Sequence, residues 1–379
     1  MAAVSSYKSR LASASFSFCF FLCCISSINR TAAFQVDSTS KFGIKHSSSS
    51  AVSTDHGLQR LHSGSHVKLG SLVESPVQDM AVEGIARLHY EKIAGPDNSA
   101  QMSPIVLIHG LLGSSRNFKS WAKQLSSDLP SSRDIYVVDL RNHGSSEHMD
   151  EMGYPDMAMD VLQLMKQDLG LDKAFIIGHS MGGKVAATMA LLHPEAVAGA
   201  IIMDIAPVPY SIADGTNWVD SQKLINAMNE VDLSMMQDRS DVDNELAKTV
   251  VDPALRAFAL TNLARAVPNS REGLTWQIGL DAIHRSLGVV AEFDIGQGRS
   301  NRASKLCREY NGNVLFISGA RSRYITSAHL KEISQLFPVY TLQKIPAAGH
   351  WVHADKPAET IAAAVGYFRY CEAEVAFQE

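Results

Sequence analysis

Residues 174–185 read Ala174-Phe175-Ile176-Ile177-Gly178-His179-Ser180-Met181-Gly182-Gly183-Lys184-Val185. The first four form a continuous apolar run, the pattern of a strand covered on both faces of a parallel sheet. A helical pattern follows from Met181 to about Leu192, so G-x-S-x-G sits directly between a buried strand and a helix. That setting is what a nucleophile elbow requires: the serine occupies a strained turn, and a side chain at 178 or 182 would crowd the neighbouring elements. Ser180 Oγ is then presented at the carboxyl edge of the sheet, near the positive end of the helix, where a developing oxyanion is favoured. The same stretch fits the opening of a phosphate-binding loop, Gly178-xxxx-Gly183-Lys184. Val185, however, stands where that loop needs a hydroxyl for Mg²⁺, so nucleotide binding is rejected and Lys184 is assigned to the helix surface.

Outward from the elbow the same alternation recurs. Ile105-Val-Leu-Ile108, Ile135-Tyr-Val-Val138, Gly199-Ala-Ile-Ile-Met203 and Val314-Leu-Phe-Ile317 are further buried-strand runs, with a short strand near 340–345. Helical spacing appears at Phe118, Trp121, Ala122 and Leu125, at Ala158, Val161, Leu162 and Met165, and over 326–337 and 357–371. Repeated strand–helix units predict an α/β fold, a mostly parallel central sheet with helices on both faces. After Pro207 and Pro209 the alternation stops. Residues 208–295 read as several helices without a comparable strand, a helical lid inserted into a core of 81–207 and 296–379.

Composition fits this reading. The 379 residues are 46% hydrophobic and 19% charged, with 34 basic against 39 acidic side chains and a net charge of −5. That describes a globular chain, and it lacks the basic excess of a nucleic-acid binder. Three of five cysteines lie in the first 25 residues, which leaves Cys307 and Cys371 unable to build a disulfide framework. At the amino end, Lys8 and Arg10 precede the apolar run 16–25, and Thr31-Ala-Ala33 follows, the layout of a secretory signal peptide over 1–33. The run is short for a bilayer crossing, so no stable membrane span is expected in the mature chain. Residues 34–80 are rich in Ser, His and Lys and poor in acids, a disordered, transit-like composition. Together the two segments resemble the bipartite plastid presequences of algae with complex plastids. Plastid is the first expectation, with mitochondrion and endomembrane or secretion as alternatives.

The candidate chemistry lies at the strand ends. His109-Gly-Leu111-Leu-Gly113 follows strand 105–108 and places a second loop beside the elbow. The amides of Leu111 and Met181 can there form an oxyanion hole, with the His109 side chain supporting the loop. A general base must come late in the chain for this elbow, and Ala348-Gly-His350-Trp351 follows the last short strand. His353 could pair with His350 on a metal, but no H-E-x-x-H or Cys pair supports zinc, so no metal is expected. The acid is open between two residues. Asp204 ends strand 199–203, where a carboxylate can reach His350 Nδ1; Asp281 stands near the return of the lid. The loop after strand 314–317, Gly319-Ala-Arg321-Ser-Arg323-Tyr-Ile325, contains no carboxylate. Asp139 and Asp160 are read as structural.

Taken in order, Ile108-His-Gly-Leu-Leu-Gly113, Asp139-Leu-Arg-Asn-His-Gly144, Gly178-His-Ser-Met-Gly-Gly-Lys184, Asp204-Ile-Ala-Pro207, Leu280-Asp-Ala-Ile283 and Gly349-His-Trp-Val-His353 resemble the α/β-hydrolase superfamily. Within it the chain is similar to the subfamily of α/β-hydrolase domain-containing protein 11 and the small bacterial esterases of the YbfF type. The likeness runs from about 84 to 372. It implies a Ser-His-Asp hydrolase acting on small-molecule esters or thioesters without a cofactor. It implies an acid at either Asp204 or Asp281, and so leaves that choice open. Two rival readings share the fold: a non-catalytic binding or partner-protecting protein, and an acyltransferase or carbon–carbon hydrolase using the same triad. Arg321 and Arg323 are read as solvated loop charges or, alternatively, as cations near the pocket mouth. Trp218, Met235, Met236 and Trp276 mark the expected pocket as apolar.

Overall fold

The computed structural model describes residues 84–96, 102–211, 216, 218–267, 273–295 and 309–378. All lie in one compact unit, Val77–Glu379. The signal-like and transit-like segments and Cys307 fall outside the described residues.

The strands are β1 (Tyr90–Ile93), β2 (Ile105–Ile108), β3 (Ile135–Val138), β4 (Ala174–His179), β5 (Val197–Met203), then β6 (Leu263–Arg265) and β7 (Leu274–Trp276), and finally β8 (Val314–Gly319) and β9 (Tyr340–Ile345). Seven of them form one sheet in the order β1-β3-β2-β4-β5-β8-β9, parallel except for β1, which pairs antiparallel with β3. The expected mostly parallel sheet is therefore present, with an antiparallel edge that the sequence reading did not contain. Tyr90-Glu-Lys-Ile93 is half exposed and carries two charges, as an edge strand does, so it lacks the apolar run that marks its neighbours.

Why those neighbours are apolar throughout is visible in the packing. Val106, Ile108, Ile176, Ala200, Ile202 and Phe316 face one buried cluster. Ile105, Leu107, Ile177, Ile201, Leu315 and Ile317 face another on the opposite side. A strand alternates sides at every residue, so covering both faces demands an apolar residue at every position. The first cluster takes in α2 (Tyr154–Gln163) and α3 (Met181–Leu192); the second takes in α1 (Ser115–Asp128) and α11 (Pro357–Gln378). Each fully buried Leu, Ile or Phe contributes about 1.5–3 kcal/mol relative to exposure. Trp121 Nε1–H donates to Thr360 Oγ1 at 3.0 Å and pins α1 to α11.

Between β5 and β8, where the sequence predicts a lid, lie α4 (Trp218–Glu230), α5 (Arg239–Ala247), α6 (Pro253–Ala259), α7 (Leu280–Arg285) and α8 (Leu287–Ala291). The purely helical expectation for this region needs correcting. Strands β6 and β7 pair antiparallel in a ribbon of their own. At three residues each they are too short to leave a two-residue period in the sequence. Helix α9 (Leu330–Leu336) and the one-turn α10 (Val352–Asp355) complete the core. Among the described residues no helix is long and apolar enough to cross a membrane.

Candidate active site

The turn between β4 and α3 holds Ser180 at φ 53 and ψ −121, a strained conformation for a residue with a side chain. The neighbouring glycines explain how it fits. A Cβ on Gly178 would lie 2.1 Å from the Gly182 carbonyl oxygen, and one on Gly182 would lie 2.4 Å from the His109 carbonyl oxygen. Strand, elbow and β2 loop thus approach through bare backbone. The Ser180 N–H donates to Met203 O at 3.0 Å, and its carbonyl accepts from the amides of Gly183 and Lys184. The strain is therefore held from both sides.

Ser180 Oγ–H donates to His350 Nε2 at 3.0 Å, and His350 Nδ1–H donates to Asp204 Oδ2 at 2.8 Å. Asp204 is fully buried and ends β5 in the left-handed region, φ 51, which Asp tolerates better than most residues. Its Oδ1 accepts from the Gly319 amide at 2.9 Å, and its Oδ2 also accepts from the Ser322 hydroxyl. Of the two candidate acids, the structure brings Asp204 to His350. Asp281, the alternative, is exposed on α7 and lines a separate open cleft with His148, Trp276 and Arg285. It is not among the partners of His350, whose Nδ1 is engaged by Asp204.

The loop after β8 contains no carboxylate, yet it holds the pair in place. Besides the bonds from Gly319 and Ser322, the Tyr324 ring lies over the His350 imidazole, centroids 4.1 Å apart and tilted 32°. Burial pushes the Tyr324 phenol well above its ordinary value, so it stays neutral. A Cβ on Gly319 would lie 2.1 Å from the Gly349 carbonyl oxygen, which locks this loop against the one carrying His350. Ser322 and Tyr324 were not singled out in the sequence. The sequence signal for Ser322 is a hydroxyl in a strand-end loop that contains no carboxylate. Arg321 and Arg323 are exposed and are not among the residues lining the Ser180 cavity.

Four other buried histidines lie around the relay and the oxyanion loop. His109 Nε2 accepts from the Leu140 amide at 3.0 Å and its Nδ1–H donates to Gly110 O at 2.7 Å, the loop-supporting role expected of it. His143 repeats the arrangement: Nδ1–H donates to Arg141 O and Nε2 accepts from the Leu112 amide at 3.1 Å. His179 Nε2–H donates to the His350 carbonyl at 2.9 Å. His353 stacks on Phe118, centroids 4.1 Å apart, with Nδ1 unpartnered. Burial, followed by repulsion from neighbouring imidazoles, pushes His143 and His353 down to about 3 and His179 well below its ordinary value. All three are held neutral.

Asp139 and Asp160 are structural, as expected. Asp139 accepts from the amides of Ser115 and Ser145, and Asp160 forms a buried bidentate pair with Arg141. Lys184 is a correction. It is 1% exposed, and its ammonium donates to the carbonyls of Ala291 at 3.0 Å and Glu292 at 2.8 Å, above the ring of Tyr210. Burial pulls it down to about 7. Sequence placed it on the helix surface because its partners are backbone atoms of the distant lid.

A cavity of about 180 Å³ opens over Ser180 and His350, lined by Gly110, Leu111, Leu112, Phe118, Leu224, Leu255, Phe258 and Trp351. Its wall is largely apolar, but the side chains differ from those expected. Trp276 lines the outer cleft, and Met235 is exposed. Gly110 passes so close that a Cβ there would lie 3.1 Å from Ser180 Cβ. Leu111 follows it into the cavity wall, and Met181 opens α3 beside the same serine.

With this geometry in hand, residues 103–357 match the alpha/beta hydrolase fold family. The chain belongs to the α/β-hydrolase family. It is 38% identical over 264 residues to the sn-1-specific diacylglycerol lipase ABHD11 of Xenopus laevis, covering 69% of this chain and 78% of that protein. It is 30% identical over 273 residues to a probable alcohol acetyltransferase of Saccharomyces cerevisiae, covering 69% and 76%. Among solved structures, a marine microorganism esterase aligns with a TM-score of 0.65 at 31% identity, covering 74% of this chain and 99% of that one. The resemblance drawn from the six motifs is thus borne out.

Proposed function

We propose that the protein is a serine esterase cleaving carboxylic esters or thioesters of small to medium acyl groups through an acyl-enzyme. The observation that carries this is the unbroken relay from Ser180 Oγ through His350 to Asp204, at 3.0 and 2.8 Å, under an apolar cavity. His350 takes the Ser180 proton as Oγ attacks the acyl carbon, and Asp204 holds the imidazole in the required tautomer and stabilises the imidazolium. The tetrahedral oxyanion rests on the Leu111 and Met181 amides, the second of them at a helix N-terminus. Collapse of the intermediate expels the alcohol or thiol, which takes the proton back from His350. A water activated by the same imidazole then releases the acid and frees Ser180. No step calls for a cofactor.

Ser180→Ala should abolish turnover of p-nitrophenyl esters and covalent labelling by a fluorophosphonate, with the thermal melt unchanged. Labelling that persists at another residue would remove Ser180 from its role. Absence of any ester turnover in the wild type would favour a binding protein instead.

The kinship with an alcohol acetyltransferase supports a second reading, in which an alcohol replaces water in the second half-reaction. Measuring acid against ester product at rising ethanol concentration separates the two.

The presequence composition supports delivery to an organelle, plastid first. Residues 1–80 fused to a fluorescent protein should direct it there; a cytosolic signal would count against import.

A further inference from the structure

The loop that carries Leu111 is held by two side chains from opposite parts of the chain. The Gly113 amide donates to Gly110 O at 2.9 Å and closes a turn over Leu111 and Leu112. Leu112 sits in this turn at φ 60, in the left-handed region where glycine is the usual occupant. For a leucine that conformation costs on the order of 1 kcal/mol or more, and it persists only where the surroundings fix it. Here both polar groups of Leu112 are claimed. Its N–H donates to His143 Nε2 at 3.1 Å, a bond from the core. Its carbonyl accepts from Asn262 Nδ2–H at 3.0 Å, a bond from the lid.

Asn262 is 5% exposed and ends the short turn Leu260–Asn262 between α6 and β6. Its own carbonyl accepts from the Gln277 amide at 2.8 Å, which ties it to the β6–β7 ribbon. One turn earlier, α6 places Leu255 and Phe258 in the wall of the Ser180 cavity. A single short stretch of lid therefore lines the Ser180 cavity and holds the Leu112–Gly113 peptide, one residue beyond Leu111.

We propose that Asn262 is a positioning residue through which the lid sets the oxyanion loop, so that acyl contacts with Leu255 and Phe258 are converted into turnover. The inference rests on the esterase reading above. An acyl chain long enough to press on α6 keeps Asn262 seated on the Leu112 carbonyl, and the Leu111 amide then points at the developing oxyanion. A shorter chain leaves the lid segment less constrained. Contacts remote from the reacting carbon thereby raise kcat and not only affinity. Displacement of a catalytic group by about 1 Å can cost on the order of 10²-fold in rate, so a modest tilt of this turn is enough.

The test uses the full chain with p-nitrophenyl esters from acetyl to octanoyl, comparing wild type, Asn262→Asp and Asn262→Ala. The Asp variant keeps the shape of the side chain, removes the donor and sets a second acceptor against the Leu112 carbonyl. In the wild type, kcat should rise with acyl length until the cavity is full. In both variants kcat for the longer esters should fall roughly 10- to 100-fold, with KM within about two-fold and the rise with length flattened. Affinity for an alkyl boronic acid, which forms a tetrahedral adduct on Ser180, should fall by a similar factor. Rates are taken per fluorophosphonate-titrated site, so a variant that folds only in part still reports correctly. A KM increase at unchanged kcat, a retained length dependence in the variants, or a wild type whose kcat ignores acyl length would overturn the proposal. Turnover surviving in Ser180→Ala would instead overturn the esterase reading on which it stands.

Discussion

Six strand-end loops meet around Ser180, and they fall into two kinds. Those after β4, β5 and β9 supply Ser180, Asp204 and His350, the groups joined in one relay. Those after β2, β3 and β8 supply no member of the relay, yet they brace it. The β3 loop offers His143 to the Leu112 amide; the β8 loop offers the Gly319 amide and the Ser322 hydroxyl to Asp204 and the Tyr324 ring to His350. Reacting groups and bracing groups alike are polar and drawn from adjacent loops. What separates them is the free valence: every polar atom of the bracing histidines His109 and His143 already has a backbone partner, whereas Ser180 and His350 open onto a cavity.

That division can be broken by substitution. The largest effect is expected at the relay: His350→Ala should lower kcat by about 10⁶, as removal of a triad base does elsewhere. A loss of less than 100-fold would return His350 to the bracing group. Next, Asp204→Asn should cost on the order of 10⁴ in kcat through the wrong imidazole tautomer. Asp281→Asn on the exposed face of α7 should leave kcat within about two-fold, since surface changes away from the site are nearly neutral. Equal losses in the two would undo the assignment of the acid.

Ser322→Ala should reduce kcat roughly 10-fold, the weight of one hydrogen bond to a charged group. Ser322→Thr, which keeps the hydroxyl, should restore it. A Ser322→Thr variant as slow as Ser322→Ala would make Ser322 a packing residue only.

The smallest effect concerns stability. His353 titrates at about 3 in the fold and near 6.5 when unfolded, so its neutral form stabilises the fold above pH 6.5. As pH falls from 6.5 toward 3 the unfolded chain takes up the proton first, and stability declines by about 1.4 kcal/mol per pH unit for this group. His353→Leu should flatten the decline of unfolding free energy over that window by about one proton. An unchanged slope would mean that His353 is not held neutral.

Much of this was legible in the chain. Ile105–Ile108, Ile135–Val138 and the run into Ser180 announce a sheet covered on both faces, and Gly178 and Gly182 announce the tight approach that the packing displays. Ser180 and His350 were readable because each closes a strand run, and the order of serine and histidine fits one elbow. Other features left weak traces. β1 is a charged edge, and β6 and β7 are too short to show a period. Lys184 looks like any helix lysine until Ala291 and Glu292 arrive from the lid. Asn262 carries no mark at all, since its partner is a carbonyl 150 positions away.

The sequence by itself determined the strand–helix alternation, the elbow and the identity of nucleophile and base, because those depend on short-range patterns of burial and backbone freedom. Tertiary structure alone decided between Asp204 and Asp281, and it alone turned Ser322, Tyr324 and Asn262 from ordinary loop residues into supports of the site. Hydrogen bonds act over about 3 Å. Which donor reaches which acceptor across more than a hundred residues is fixed only when the sheet, the lid and their loops close on one another.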